Sequence, residues 1–271
     1  MKVCVWDLEG PISFVDFAAE IFKLLETKLN RGNLDKFYQM ISNYDDYLIE
    51  HPEIIKQLGI ESYEPGDTLR LLAPFYVYFF TEKELTDISK RKIGLIPGVK
   101  ELFSIIKKEW DIYIISTSYS QHAYNVAREL EIPLDHVYCT DFPVETLKQE
   151  LPSIHESIEI LIDNIFEKYN KVGLEGVIDD LNNFFFKGVE TPYRKVMNKV
   201  VVRGGKRKER AVEEIAEKTG YPISEMIAVG DSITDMNMLN KVSAEGGIAE
   251  TFNGDQYCIR YANIAVTSPN Q

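Results

Sequence analysis

The sequence predicts an α/β fold: a core built on a parallel sheet with helices on both faces, and a mainly helical segment inserted after the first strand. Three observations carry this. Short apolar runs of strand length alternate with amphipathic helical stretches, the pattern of right-handed βαβ units. The runs are continuous rather than alternating, "KVCVW" at residues 2–6 being the first, as in strands buried on both faces. Residues 33–92 carry helical, aromatic-rich sequence and few strand signals.

The first run stops abruptly at Asp7 and Glu9, followed by Gly10 and Pro11. From Ser13, "SFVDFAAEIFKLLETKLN" has helical spacing, with Ser13 and Asp16 resembling a capping box. In "GLIPGVKELFSIIKKEWDIYIIST", Pro97 and Gly98 introduce a helix, and the apolar strand behind it ends in hydroxyls. "SQHAYNVARELEIP" reads as a helix and "HVYCT" as a short strand. Residues 143–200 interrupt the alternation with "LPSIHESIEILIDNIFEKY" and "LEGVIDDLNNFF", both helical in spacing. It resumes with the helix "KERAVEEIAEKTG", the strand "MIAVGD", the helix "ITDMNMLNKV" and the strand-like "GIAETFN". The expected division is therefore a core of residues 1–12 and 94–271, a helical cap at 13–93, and a second helical insertion at about 143–200. The sequence shows no internal repeat.

The chain has 271 residues, 45% hydrophobic and 27% charged, enough to bury a sizeable core. A formal net charge of −13 argues against a general nucleic-acid or anionic-membrane surface. It does not argue against a phosphorylated substrate, because a divalent ion reverses the field inside one cleft. Cys4, Cys139 and Cys258 form no close pair, which excludes a disulfide framework and any C-x-x-C site and suits a reducing cytosol. The chain passes from Met-Lys straight into a strand, so no secretory signal and a cytoplasmic location are expected. "LLAPFYVYFF" is too short to span a bilayer.

In an open parallel sheet, ligands bind outside the carboxyl ends of the strands. The first strand supplies Asp7 and Glu9 there, the second Ser116, Thr117 and Ser118, and "MIAVGDSITD" Asp231 and Asp235. The loop before a helix supplies Lys206 and Lys208. On adjacent strands these groups converge on one crevice of carboxylates, hydroxyls and an ammonium, a set that suits Mg²⁺ holding a phosphoryl group. Each group also has a plain structural reading: Ser232 as a helix cap, Asp235 in a helix's first turn, "RGGKRK" as a solvated basic loop. That loop lacks the spacing of a P-loop, and His51, His122, His136 and His155 have no metal-ligand spacing. What distinguishes the four groups is that each follows its strand, or precedes its helix, in a consistent order.

At these residues the sequence resembles the haloacid dehalogenase-like (HAD) superfamily of phosphohydrolases, with a Rossmann-like core and a cap. "DLEG" is similar to its first motif with Glu in place of the second Asp, "IYIISTS" offers the second-motif hydroxyl, and "GDSITD" fits the fourth. Counting back from Gly220 favours Lys208 over Lys206 for the third-motif lysine. The "DLEG" opening is shared with relatives of phosphoserine phosphatase. "EGP", "YDDYL" and "STSY" resemble an archaeal group, some of whose members are labelled as a subunit of an energy-converting hydrogenase.

The resemblance implies Asp7 as a nucleophile forming an aspartyl-phosphate and Glu9 as general acid and base. Mg²⁺ would be held by Asp7, the Glu9 carbonyl and Asp231, with Asp235 close by. Ser116, Thr117 and Lys208 would bind phosphate. The implied activity is a phosphatase or phosphotransferase for a small phosphorylated metabolite, the alternative being a non-catalytic subunit of a larger, hydrogenase-type complex. For substrate selection the cap offers Tyr44, Asp45, Asp46, Asp67 and Arg70; an Arg that clamps a carboxylate suits a phospho-amino or phospho-hydroxy acid.

Overall fold

The computed structural model describes residues 2–151 and 153–271. Six strands form one sheet: β1 (Lys2–Trp6), β2 (Trp110–Tyr119), β3 (Val137–Thr140), β4 (Ile227–Gly230), β5 (Ile248–Phe252) and β6 (Ile264–Val266). Their order is β3-β2-β1-β4-β5-β6, and every neighbouring pair is parallel. This is an α/β, Rossmann-like arrangement, and its strand order reverses between β1 and β4. A crevice opens at the carboxyl ends of the strands at such a point.

The continuous apolar character of β1 has a direct cause. Val3 and Val5 pack on one face against Ala211, Val212 and Ile215 of the helix Lys206–Thr219 and against Met238, Leu239 and Val242 of the helix Met236–Ala244. Cys4 and Trp6 pack on the other against Val99 and Phe103 of the helix Val99–Ile106 and Ala123 and Val126 of the helix Ser120–Glu129. A strand covered on both faces has no polar side to show, so periodicity is lost and length alone marks it.

The chain divides into two units. One holds the chain up to Phe17, Thr86–Asp141 and Val202–Gln271; the other holds Ala18–Leu85 and Phe142–Val201. The second is helical, with Leu34–Glu50, Thr68–Phe79, Ile178–Phe186 and Pro192–Met197 among its helices. The expected division treated residues 143–200 as an insertion of the α/β core, separate from residues 13–93. Here the two helical segments share one aromatic interior instead. Phe37 from the first lies edge-on to Phe166 from the second at 5.5 Å, Tyr44 stacks on Phe185 at 6.0 Å, and the Tyr193 hydroxyl donates to the Leu71 carbonyl at 2.6 Å.

Two local expectations also change. The helix expected from Ser13 begins at Phe17. Ser13 is not its cap, because its hydroxyl donates to the Ile93 carbonyl (2.7 Å) and accepts from the Val15 amide (3.1 Å). β6 escaped the sequence reading because three residues at a sheet edge carry no period. No helix among the described residues is long and apolar enough to cross a membrane.

Tyr44 is fully buried, and its hydroxyl donates to Asn182 Oδ1 at 2.6 Å. Tyr44→Phe strands that buried amide oxygen without a donor. It is expected to lower stability by about 1–3 kcal/mol in denaturant unfolding.

Candidate active site

Asp7 and Asp231 are the first residues beyond β1 and β4, which are hydrogen-bonded neighbours. Adjacent strands lie about 4.8 Å apart, so acids at neighbouring strand ends are within reach of one small cation. The ladder extends one step past β1, the Asp7 amide donating to the Val229 carbonyl at 2.8 Å. By the alternation of the strand, Asp7 follows Val3 and Val5 onto the face where the helix Lys206–Thr219 packs.

That helix explains which lysine arrives. Lys208 lies one turn before Val212 and two before Ile215, on the stripe buried against the sheet, and it is fully buried. Its Nζ donates to Asp7 Oδ1 at 2.7 Å and to Asp235 Oδ1 at 2.6 Å. Lys206 begins the same helix and is exposed.

Asp235 joins these pairs to the turn after β4. Its Oδ2 accepts from the Asp231 amide (2.9 Å) and the Ser232 amide (3.1 Å), and Ser232 and Asp235 form a capping box around Ile233–Asp235. The capping reading of "GDSITD" is realised, and the cap makes the turn that presents Asp231. Gly10 sits against the other side of that carboxylate. Its φ is +111°, and a Cβ there would lie 2.1 Å from Asp231 Oδ2, so only glycine fits.

Glu9 Oε1 accepts from the Phe17 amide at 3.3 Å, at the start of the helix Phe17–Leu29. Ser116 is buried in β2, and its Oγ accepts from the Ser118 amide at 3.0 Å, which leaves the hydroxyl proton free to donate. The register between Ile115 and Tyr119 slips, four residues of β2 spanning two of β3, so Ser116–Ser118 leave the regular ladder. The Thr117 carbonyl accepts from Thr140 Oγ1 at 2.6 Å, and the Arg203 amide donates to the same Oγ1 at 3.0 Å.

Burial, then the charge of Asp235, pushes the Asp7 carboxyl above the ordinary aspartate range, while Lys208 pulls it back. Burial, then Asp235 and Asp7, pushes Asp231 up further. Burial, then Asp16, pushes Glu9 up to about 8, with the Ser118 hydroxyl acting the other way. Burial opposes the charge on Lys208, but Asp235 and Asp7 outweigh it and hold the ammonium well above the usual lysine range.

Two buried acids, Asp7 and Asp235, pair with one lysine and the half-buried Asp231 lies beside them, which leaves negative charge in excess. Carboxylate oxygens of Asp7, Asp231 and Asp235 lie within 4.8 Å of one another. Asp231 Oδ1 is buried with no hydrogen-bond donor among the described residues. An all-oxygen set with an undonated buried oxygen fits a hard divalent cation. Both Asp235 oxygens are engaged by donors, so Asp7 and Asp231 are the better direct ligands and Asp235 holds them in place.

The residues expected to select substrate belong to the helical unit. Tyr44 lies in its interior. Asp45 is buried, with Oδ2 accepting from the Gly66 amide at 3.3 Å, and burial pushes its carboxyl up to about 7. Asp46 is exposed. Arg70 spends its fork on Asp67 Oδ2 (3.4 Å) and Asn198 Oδ1 (3.0 Å). Tyr44 and Arg70 thus serve the packing of that unit. The sequence shows Gly10 only as the residue after Glu9, and its contact with Asp231 joins segments that no local signal connects.

A family profile described as haloacid dehalogenase-like hydrolase matches residues 98–251. No curated protein matches the chain. Among solved structures, a gene product of Archaeoglobus fulgidus is 26% identical with a TM-score of 0.80, the match covering 99% of this chain and 79% of that one. A phosphoserine phosphatase in its apo form is similar at 12% identity and a TM-score of 0.56, covering 99% and 94%. A probable phosphoserine phosphatase from Vibrio cholerae is similar at 15% identity and a TM-score of 0.55, covering 98% and 60%. The last two likenesses are likenesses of fold.

Two predictions follow from this charge arrangement. Lys208→Met leaves Asp7 and Asp235 buried without their cation and is expected to cost about 3–5 kcal/mol in chemical denaturation. Lys206→Met, at an exposed position, is expected to change stability by about 0.5 kcal/mol or less. The second prediction concerns Asp231. The folded protein retains a proton there that the unfolded chain releases near pH 4. In chelator, stability therefore falls as pH rises above that value. Asp231→Asn is expected to flatten the decline and raise the melting temperature at pH 8.

Proposed function

The chain belongs to the haloacid dehalogenase-like hydrolase family, and we propose that it is a Mg²⁺-dependent phosphatase or phosphotransferase acting on a small phosphomonoester through an aspartyl-phosphate on Asp7. The observation that carries this reading is the Lys208 Nζ–Asp7 Oδ1 pair at 2.7 Å, at the strand-order reversal beside Asp231. A lysine so placed favours the ionised form of Asp7, which a nucleophile requires, against the burial that opposes it.

Asp7, Asp231 and the main-chain carbonyl of Glu9 would hold Mg²⁺, which when bound would supply positive charge to the phosphoryl oxygens. The Ser116 hydroxyl, the Thr117 segment and the Lys208 ammonium bind those oxygens as charge spreads over them. In the first half-reaction an Asp7 oxygen bonds to phosphorus while the bond from phosphorus to the leaving alcohol breaks. Glu9 gives its proton to the departing oxygen. In the second half-reaction a water oxygen bonds to phosphorus and Glu9 takes the water's proton. The bond to Asp7 then breaks, which releases phosphate and restores the Asp7 carboxylate and the protonated Glu9. In phosphotransfer a substrate hydroxyl replaces the water. A Glu9 carboxyl pushed up to about 8 by burial carries its proton at neutral pH, as the first half-reaction needs. The net charge of −13 favours such a metabolite over a nucleic acid.

A panel of phosphorylated metabolites with Mg²⁺ tests the reading, with phosphoserine as donor and homoserine as acceptor included. Phosphate release or transfer is expected for at least one small ester and is lost in Asp7→Asn. A stable complex captured from native extract, with no turnover of any ester, supports instead a non-catalytic subunit of a larger, hydrogenase-type assembly. A separate prediction concerns Glu9. Activity falls as pH rises through about 8, because the protonated carboxyl is lost. Glu9→Gln is expected to lower kcat about 10²–10⁴-fold and to flatten that limb of the pH profile.

A further inference from the structure

The turn after β5 reaches back to the turn after β4 and holds groups there that Asp235 does not. The Asp255 amide donates to the Asp231 carbonyl at 2.8 Å. Asp255 Oδ2 accepts from the Ile233 amide at 3.1 Å, and Oδ1 accepts from the Tyr257 amide (2.8 Å) and the Cys258 amide (3.0 Å). The buried Cys258 thiol donates to the same Asp231 carbonyl at 3.1 Å and lies 2.9 Å from Thr251 Oγ1.

Together with the bonds from Asp235 Oδ2 to the amides of Asp231 and Ser232, every main-chain amide from Asp231 to Ile233 is held by one of two carboxylates. The Asp231 side chain is left as the free end of this clamp, with Oδ1 undonated and Oδ2 against Gly10. We infer that Asp255 is a positioning residue for the divalent-cation site: through the Ile233 amide and the Asp231 carbonyl it sets the direction of the Asp231 carboxylate. This rests on the reading of Asp7 and Asp231 as cation ligands.

The two carboxylate oxygens of Asp255 serve different partners, which makes the inference testable by single atoms. Asp255→Asn turned with its oxygen toward Tyr257 and Cys258 keeps the local turn and presents an NH₂ group to the Ile233 amide, where donor meets donor. It therefore breaks the cross-link and keeps the turn. Asp255→Glu keeps the negative charge but displaces the carboxylate by one methylene. If Asp255 acts only through its charge, Asp255→Glu retains affinity. If it acts by position, both variants lose it.

The measurement is calorimetric titration of the full chain with Mg²⁺, together with melting temperatures in chelator and in Mg²⁺. Both variants are expected to bind Mg²⁺ about 10–100-fold more weakly than wild type, as when outer partners of metal ligands are removed. Their melting temperatures in chelator are expected to stay near that of the unaltered chain. Wild-type affinity in both variants, or in Asp255→Glu alone, overturns the inference. A wild-type chain that binds no Mg²⁺ overturns instead the reading on which it rests.

Discussion

A single buried ammonium holds this α/β unit's crevice together. Lys208 stands between Asp7 and Asp235 at 2.7 and 2.6 Å with no exposure to solvent. Removing a lysine from water is costly unless carboxylates with good geometry surround it. Asp7 stands at the end of β1 and Asp235 in the turn after the neighbouring β4, and the lysine comes from the buried stripe of the helix packed on the sheet. Sheet order, helix packing and site geometry are therefore one constraint. From Lys208 the chain of fixed groups runs through Asp235 to the amides of Asp231 and Ser232.

The same cluster carries more negative charge than its lysine neutralises. Asp7 and Asp231 are both pushed up, first by burial and then by the charge of Asp235. A fold selected for stability alone gains little from such an arrangement, and strained ionisation of this kind concentrates where chemistry is done. The overall charge of −13 says nothing about this crevice, whose field a divalent cation would reverse locally. A phosphoryl group, repelled by the surface at large, is compatible with that crevice once the excess is neutralised.

Much of this was legible in the sequence, and the exceptions have physical causes. β1 and β4 were readable as apolar runs ending in acids, because burial on both faces leaves only their ends free for polar residues. The count back from Gly220 favoured Lys208 over Lys206 without deciding between them, because which lysine is buried depends on the helix face that meets the sheet. The grouping of residues 18–85 with 142–201 was not readable: helical spacing marks an apolar face without saying what it meets. Tyr44 and Arg70 were named as candidates for substrate selection; in the fold Tyr44 closes an aromatic interior and Arg70 joins Asp67 to Asn198. Gly10 was visible as a turn residue, but its closeness to Asp231 joins positions more than two hundred residues apart.

The central claim is that Asp7 is a nucleophile held beside a cation shared with Asp231. A crystal structure grown with Mg²⁺ and beryllofluoride, a mimic of an acyl-phosphate, tests it most directly. The account predicts beryllofluoride bonded to an Asp7 carboxylate oxygen, one Mg²⁺ in contact with both Asp7 and Asp231, and Lys208 turned to the fluorides. An Asp7 side chain that stays unmodified, with the cation bound away from Asp231, would contradict it.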